Sequence, residues 1–255
     1  MISELSLQWL MAVMAVIALF VFVCLFFVDA GYGKFYNSRW GLSVGNRLGW
    51  VLMEAPAFIV MALLFVLSGT RSAVAWIAFL LFELHYFHRS FVFPMLLRGS
   101  SRMPLAIVAM GALFNSVNAF MQAGWLFYCQ RGAMQLCGWL HSPIFWVGLL
   151  VFLMGMAINH HSDSVIRALR KPGDSRHYLP DGGVYRYVTS ANYFGELVEW
   201  TGFALLTWSA SGVVFVLWTF ANLAPRAARI NKSYTEQFPA EMAAHPRKRL
   251  LPLLW

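Results

Sequence analysis

Of the chain's 255 residues, 60% are hydrophobic and only 12% are charged, about half the charged share of an ordinary soluble domain. With 22 Phe, 11 Trp and 13 Met, it carries more apolar surface than one water-soluble core hides, which excludes a soluble globule. The net charge of +8 then describes contact with anionic lipid, because no zinc-ligand pattern or recognition helix accompanies it, and no nucleic-acid partner is expected.

From Leu5 to Val28 there is no charged residue, long enough to cross the hydrocarbon core. This stretch follows MISEL with no Lys or Arg before it, so it is expected to be a retained first helix and not a secretory signal. Further apolar windows run near Trp50–Ser68, Val74–Leu97, Leu105–Cys129, Pro143–Ile158, Phe194–Ser209 and Gly212–Ala224. Lys34, Arg39 and Arg47 follow the first window, Arg98 and Arg102 the third, and Arg167, Arg170, Lys171, Arg176 and Arg186 the fifth. A basic tail from Arg226 to Arg249 follows the seventh, whereas the alternate loops hold only Arg71 and Arg131. The positive-inside rule therefore predicts an all-α integral membrane protein of seven transmembrane helices, N-terminus outside and C-terminus cytoplasmic. Cys24, Cys129 and Cys137 form no CxxC pair and are read as packing residues.

Polar side chains interrupt these windows. Glu54 lies in WVLMEAPAF without a local partner, and the third window contains Glu83, His85, Tyr86, His88 and Arg89 in FELHYFHRSF. Asn115, Asn118 and Gln122 recur at helical spacing in the fourth window; Asn192, Glu196 and Glu199 do so in SANYFGELVEW. An ionisable group at membrane depth costs at least about 2.5 kcal/mol, so such groups face an interior and mark a site. Arg89 is read as either a charge partner for Glu83 or a functional group. His85 and His88 are read as packing or hydrogen-bonding residues, and no metal site is expected. The Asn115 face is either interhelical glue or part of the site, and Glu199 is expected to find a structural partner such as a buried arginine.

The connection from Asn159 to Asn192 begins with SDSVIRALRK, read as a short amphipathic helix ended by Pro172–Gly173. PDGG supplies a turn, and VYRYV alternates as an extended piece would. Arg167, Arg170, Lys171 and Arg176 beside turn glycines form either a phosphate clamp or ordinary cytoplasmic loop charge. No GxGxxG follows a strand, so no Rossmann nucleotide domain is expected.

GYGK at Gly31–Lys34, the ME-x-P helix at Glu54, HYFHR at His85–Arg89 and NHHSD at Asn159–Asp163 occur in that order. LRKPG at Leu169–Gly173 and LPDGGVYRYVTSANYFGELVEW at Leu179–Trp200 follow, with a basic, proline-containing end at Pro246–Trp255. By these motifs the chain resembles the steroid 5α-reductase family of membrane enzymes. The resemblance implies NADPH-dependent reduction of the Δ4 double bond of 3-oxo-Δ4-steroids to 5α-dihydrosteroids, with hydride passing to C5. It makes Glu54 and Tyr86 the catalytic pair on the C3 carbonyl, Glu54 donating only when protonated. It makes Asn159, Asp163, Arg170, Asn192, Glu196, Arg226 and Tyr234 the NADPH contacts. Residues 1–130 are then mainly the substrate-binding half of a single membrane-embedded domain, and 131–255 mainly the NADPH-binding half. The expected partners are membrane lipid and a hydrophobic steroid-like substrate entering from it, with no obligate protein partner. The expected location is a bacterial inner membrane, or the endoplasmic reticulum in a eukaryote. Rival readings are a related reductase of polyprenols or enoyl-CoA thioesters, a membrane methyltransferase of the isoprenylcysteine type, and a transporter.

Overall fold

The computed structural model describes residues 3–28, 31, 36, 38–98, 101–130, 137–169 and 178–255. Helix α1 (Glu4–Phe27) starts at Ser3, whose Oγ accepts from the Ser6 N–H at 3.1 Å. A 3-10 turn (Ser38–Trp40) and a short strand β1 (Ser43–Gly45) lead into α2 (Asn46–Ser68), which ends at Gly69 in the left-handed region with φ 66°. Helix α3 (Ala73–Phe87), capped by Ser72, continues through a π turn (His88–Val92) into α4 (Phe93–Leu96). Strand β2 (Arg102–Pro104) pairs antiparallel with β1, the one sheet among the described residues. Helix α5 (Leu105–Ala123) also runs into a π turn (Gly124–Cys129). After a 3-10 turn (Cys137–His141) come α6 (Pro143–Ala168), α7 (Ala191–Thr207), α8 (Ala210–Gln237) and α9 (Pro239–Ala244).

Among the described residues, five helical segments are long and apolar enough to cross a membrane: Glu4–Phe27, Asn46–Ser68, Leu105–Cys129, Pro143–Ala168 and Ala210–Gln237. They make this a multi-pass membrane protein. The third and sixth windows fold as helices too, but α3 is 15 residues long before its π turn and α7 is 17.

Two local expectations are corrected. Ser162 to Ala168 is the last part of α6 and not a separate amphipathic helix. The backbone ladder simply outlasts the hydropathy, which falls at the polar run NHHSD. VYRYV (Val184–Val188), read as extended, begins inside a 3-10 turn (Gly183–Arg186), and of its residues Val188 alone pairs, through a parallel bridge to Lys248.

The helices α6 and α7 meet backbone to backbone. A Cβ at Gly155 would lie 2.2 Å from the Glu199 nitrogen, and one at Gly202 would lie 2.2 Å from the Phe152 nitrogen. Gly148 and Gly195 are equally close, to Leu206 and Asn159 respectively. Small residues permit such an approach where lipid gives helices no hydrophobic reason to associate. Trp200 and Phe203 of α7 then pack with Phe82 of α3, Phe152 of α6 and Phe215 of α8. Helix α1 rests on α8, where Trp218 Nε1 donates to the Met14 carbonyl at 2.7 Å.

Candidate active site

Two polar clusters sit inside this apolar bundle. The first joins α2, α3 and α5. Asn115 Nδ2 donates to Glu54 Oε2 at 3.0 Å and to the Met53 carbonyl at 2.8 Å, while its Oδ1 accepts from the Tyr86 hydroxyl at 3.3 Å. Asn118 Nδ2 approaches the Tyr86 oxygen at 3.5 Å. Gln122 Nε2 follows at 3.4 Å from Asn118 Oδ1, and Gln122 is anchored on Ser211 of α8 by bonds of 2.8 and 2.9 Å. Tyr86, Asn115, Asn118 and Gln122 are buried and Glu54 is half-buried. Buried amides hold because each donor and acceptor finds a partner.

The second cluster lies where α6 ends and α7 begins. Asn192 Nδ2 donates to Asp163 Oδ1 at 3.1 Å, and Asn159 Nδ2 donates to the Asn192 carbonyl at 2.9 Å. Arg89, presented by the π turn after α3, lies 3.6 Å from Asp163 and 3.9 Å from Glu196. Its guanidinium also covers the rings of Trp50 and Phe93, at 4.5 and 4.6 Å from their centroids. An arginine plane stacks on aromatics and pairs with carboxylates at once, which a lysine could not do as well. Tyr185 reaches Asn192 Oδ1 at 3.5 Å; burial, and then the neighbouring Asp163 carboxylate, push its phenol well above the usual range.

A third contact ties the two clusters together. His85 Nδ1 lies 2.8 Å from Glu199 Oε1, and the His85 ring sits 4.6 Å from Trp200 and 5.1 Å from Tyr86, centroid to centroid. Glu199 is fully buried. Its partner is therefore a histidine on α3 and not the expected arginine.

The structure thus brings Glu54 together with Tyr86, and Asn159 and Asp163 together with Asn192 and Glu196. Arg226 is buried and Tyr234 half-buried on α8, the helix packed beside α7. Arg170, with Lys171 and Arg176, lies outside the described residues. Of the two readings of Arg89, the pairing with Glu83 is not made: Arg89 lies in the second cluster, and neither Glu83 oxygen has a hydrogen-bond partner among the described residues. A spacing of six residues puts two side chains on different helix faces, which is why that pairing fails. Tyr185 was not among the expected site residues, and Asn115 was left open between interhelical glue and the site. The spacing of Asn115 with Asn118 and Gln122 marked a polar face, but nothing local to Tyr185 marked it.

The C-terminal segment braces the second cluster. Lys248 exchanges backbone bonds with Tyr187 and Thr189 at 2.9 Å each, and Asn231 of α8 donates to the Arg247 carbonyl at 3.2 Å. Trp255 packs in a cluster with Tyr193, Phe194 and Leu197 on the first turns of α7.

A family model described as 3-oxo-5-alpha-steroid 4-dehydrogenase matches residues 101–255. The 3-oxo-5-alpha-steroid 4-dehydrogenase 1 of Mus musculus is 39% identical over 246 residues, covering 93% of this chain and 92% of that protein. The enzyme of the same name from Macaca fascicularis is 37% identical over 230 residues, 89% of this chain and 86% of that one. A plant relative, steroid 5-alpha-reductase DET2 of Gossypium hirsutum, is 33% identical over 250 residues, 94% of each chain.

Proposed function

The chain belongs to the 3-oxo-5-alpha-steroid 4-dehydrogenase family, and on that premise we propose that it reduces the Δ4 double bond of 3-oxo-Δ4-steroids with NADPH. The observation that carries the reading is the network uniting Glu54 of α2 with Tyr86 of α3. As C5, the β-carbon of the enone, accepts hydride, negative charge moves onto the C3 oxygen. A phenol and a protonated carboxyl aimed at that oxygen stabilise the enolate more than the ketone, which is what lowers the barrier. The half-burial of Glu54, beside a buried Asn115, is consistent with an approach to the network from the Glu54 side.

NADPH, when bound, supplies the hydride. The residues at the junction of α6 and α7 fit such a ligand in kind. Buried Ser162 Oγ and Ser190 Oγ have no hydrogen-bond partner among the described residues, and Asp163 Oδ2 has none beyond its ion pair. Asn159, Asp163, Asn192 and Glu196 would hold the nicotinamide end, whose carboxamide needs both donors and acceptors. Arg170, Arg226 and Tyr234 complete the proposed contacts, with cations suited to phosphate. Residues 1–130 serve mainly the steroid and 131–255 mainly the cofactor. Arg89 and His85 interlock the halves by reaching Asp163, Glu196 and Glu199.

The proposed topology has seven spans, with the N-terminus outside and the C-terminus cytoplasmic, in a bacterial inner membrane. Two observations support the two shorter spans. The helical path from Ala73 to Leu96 rises about 35 Å at 1.5 Å per residue, more than the hydrocarbon thickness. Helix α7 runs beside the membrane-spanning α6 along its length, from Asn159 opposite Gly195 to Gly148 opposite Leu206.

Incubating the purified protein with NADPH and progesterone or testosterone, and identifying the product by mass spectrometry, tests the function. The expected product is the 5α-dihydrosteroid. Turnover of 2-enoyl-CoA or a polyprenol with an untouched steroid would sink the proposal, as would S-adenosylmethionine copurifying in place of NADP(H).

A further inference from the structure

We propose that Asn115 is the positioning residue of the Glu54–Tyr86 pair: its amide decides which atom of each partner donates and which accepts. The inference rests on the reading of that pair as the carbonyl-binding site. An amide side chain has one acceptor oxygen and two N–H donors. Which of its two ends is nitrogen is normally a matter of assignment. Here the chemistry decides it. One end lies 2.8 Å from the Met53 carbonyl, which can only accept, so that end is the nitrogen.

The rest follows. The second N–H of Asn115 goes to Glu54 Oε2, so that oxygen is an acceptor in the resting network. A proton on the carboxyl then sits on Oε1, and among the described residues nothing hydrogen-bonds Oε1. The amide oxygen faces Tyr86, so the phenol donates to Asn115. Asn118 supplies a donor to the phenol oxygen from the other side, held in turn by Gln122 on Ser211. Tyr86 is therefore oriented before any substrate arrives and has only to swing its O–H from Asn115 to the incoming oxygen. Because Asn115 is 5% exposed and touches α2 and α3 at once, it also fixes the distance between the two donors. An apolar side chain of similar size keeps the packing and removes the direction.

The test compares Asn115→Leu, Tyr86→Phe and the double variant. Asn115→Leu should lower kcat about tenfold, the upper worth of a hydrogen bond between neutral groups, with NADPH affinity unchanged. In the Tyr86→Phe background the same substitution should cost clearly less than in the wild type, because one of the two groups it orients is gone. Equal losses in both backgrounds, full activity in Asn115→Leu, or lost NADPH affinity would overturn the inference. A readout independent of turnover is the 19F resonance of Tyr86 in 3-fluorotyrosine-labelled protein, assigned by its disappearance in Tyr86→Phe. It should move in Asn115→Leu and stay put in Phe120→Leu, a change on the lipid-facing side of the same helix. An unmoved resonance in Asn115→Leu overturns the inference even if the wild type reduces steroid. A wild type that reduces no steroid but shows the shift sinks the functional reading alone.

Discussion

Glu54 and Glu196 are both carboxylates near membrane depth, yet their surroundings assign them different work. Glu54 accepts from the Asn115 amide, whose oxygen accepts in turn from the Tyr86 phenol, and it has no ion pair among the described residues. Glu196 lies within ion-pair reach of Arg89, in a cluster that also holds Asp163. In the first setting a carboxyl can serve as a donor to a developing oxyanion; in the second it can accept from a ligand while its charge is balanced. The two should therefore separate in one experiment. Glu54→Gln and Tyr86→Phe should lower kcat about 100-fold or more while NADPH still binds, since each removes a donor of the oxyanion-stabilising kind. Glu196→Ala should instead weaken NADPH about tenfold with a smaller effect on steroid affinity. Titrating NADPH and steroid separately against each variant checks this. Full turnover in Glu54→Gln or Tyr86→Phe removes that residue from the mechanism, and unchanged NADPH affinity in Glu196→Ala removes Glu196 from the cofactor site.

Both proposed sites depend on how closely α6 and α7 pack. The glycines at 148, 155, 195 and 202 let the two backbones touch, and that contact places Asn159 against the Asn192 carbonyl. Gly155 faces Glu199, so the same contact sets the helix that holds His85. Gly155→Val should force the helices apart, because its Cβ would meet backbone atoms that cannot turn away. Overpacking of this kind costs about 3 kcal/mol. The melting temperature in detergent should fall, and added NADPH should restore less of it than in wild type. Leu150→Val, exposed on the lipid-facing side of α6, is the control and should melt near the wild type. A Gly155→Val variant that melts with wild type would show that the helices can separate at no cost. At this scale the sequence was legible where one helix sufficed. The amide face of α5 and the acidic face of α7 follow from spacing, and the structure keeps both. The partners did not follow, because Arg89 with Asp163, and His85 with Glu199, are pairs between distant helices. The end of α6 was missed for another reason: hydropathy marks where the bilayer stops, and hydrogen bonding carries the helix on to Ala168.

Over the whole molecule, apolar and polar residues are arranged for a lipid solvent. Phe20, Leu63, Leu150 and Val213 stay exposed on helix flanks, whereas Asn118, Gln122 and Glu199 are buried among the helices. In hydrocarbon, polar groups must find their partners inside the protein, and the two clusters and the His85–Glu199 link are where they do. This inversion was readable from composition, and each of the five long spans overlies one of the apolar windows, although the fifth and seventh windows were too short to show the full length of their helices. Whether α3 and α7 also cross was not readable, since each carries the ionisable groups that depress its hydropathy. The charge asymmetry also bears on that question. In the proposed seven-span arrangement only Arg71 and Arg131 fall in the loops of one side, and by the positive-inside rule this predicts termini on opposite sides and so an odd number of spans. The check is impermeant-maleimide labelling of single cysteines, with Cys24, Cys129 and Cys137 replaced by serine. Glu4 and His245 are both exposed and lie beyond or at the ends of helices. Glu4→Cys should label in intact cells stripped of any outer membrane, and His245→Cys only after permeabilisation. Labelling of both from the same side would make the span count even, leaving either α3 or α7 as a helix that enters the bilayer without crossing it.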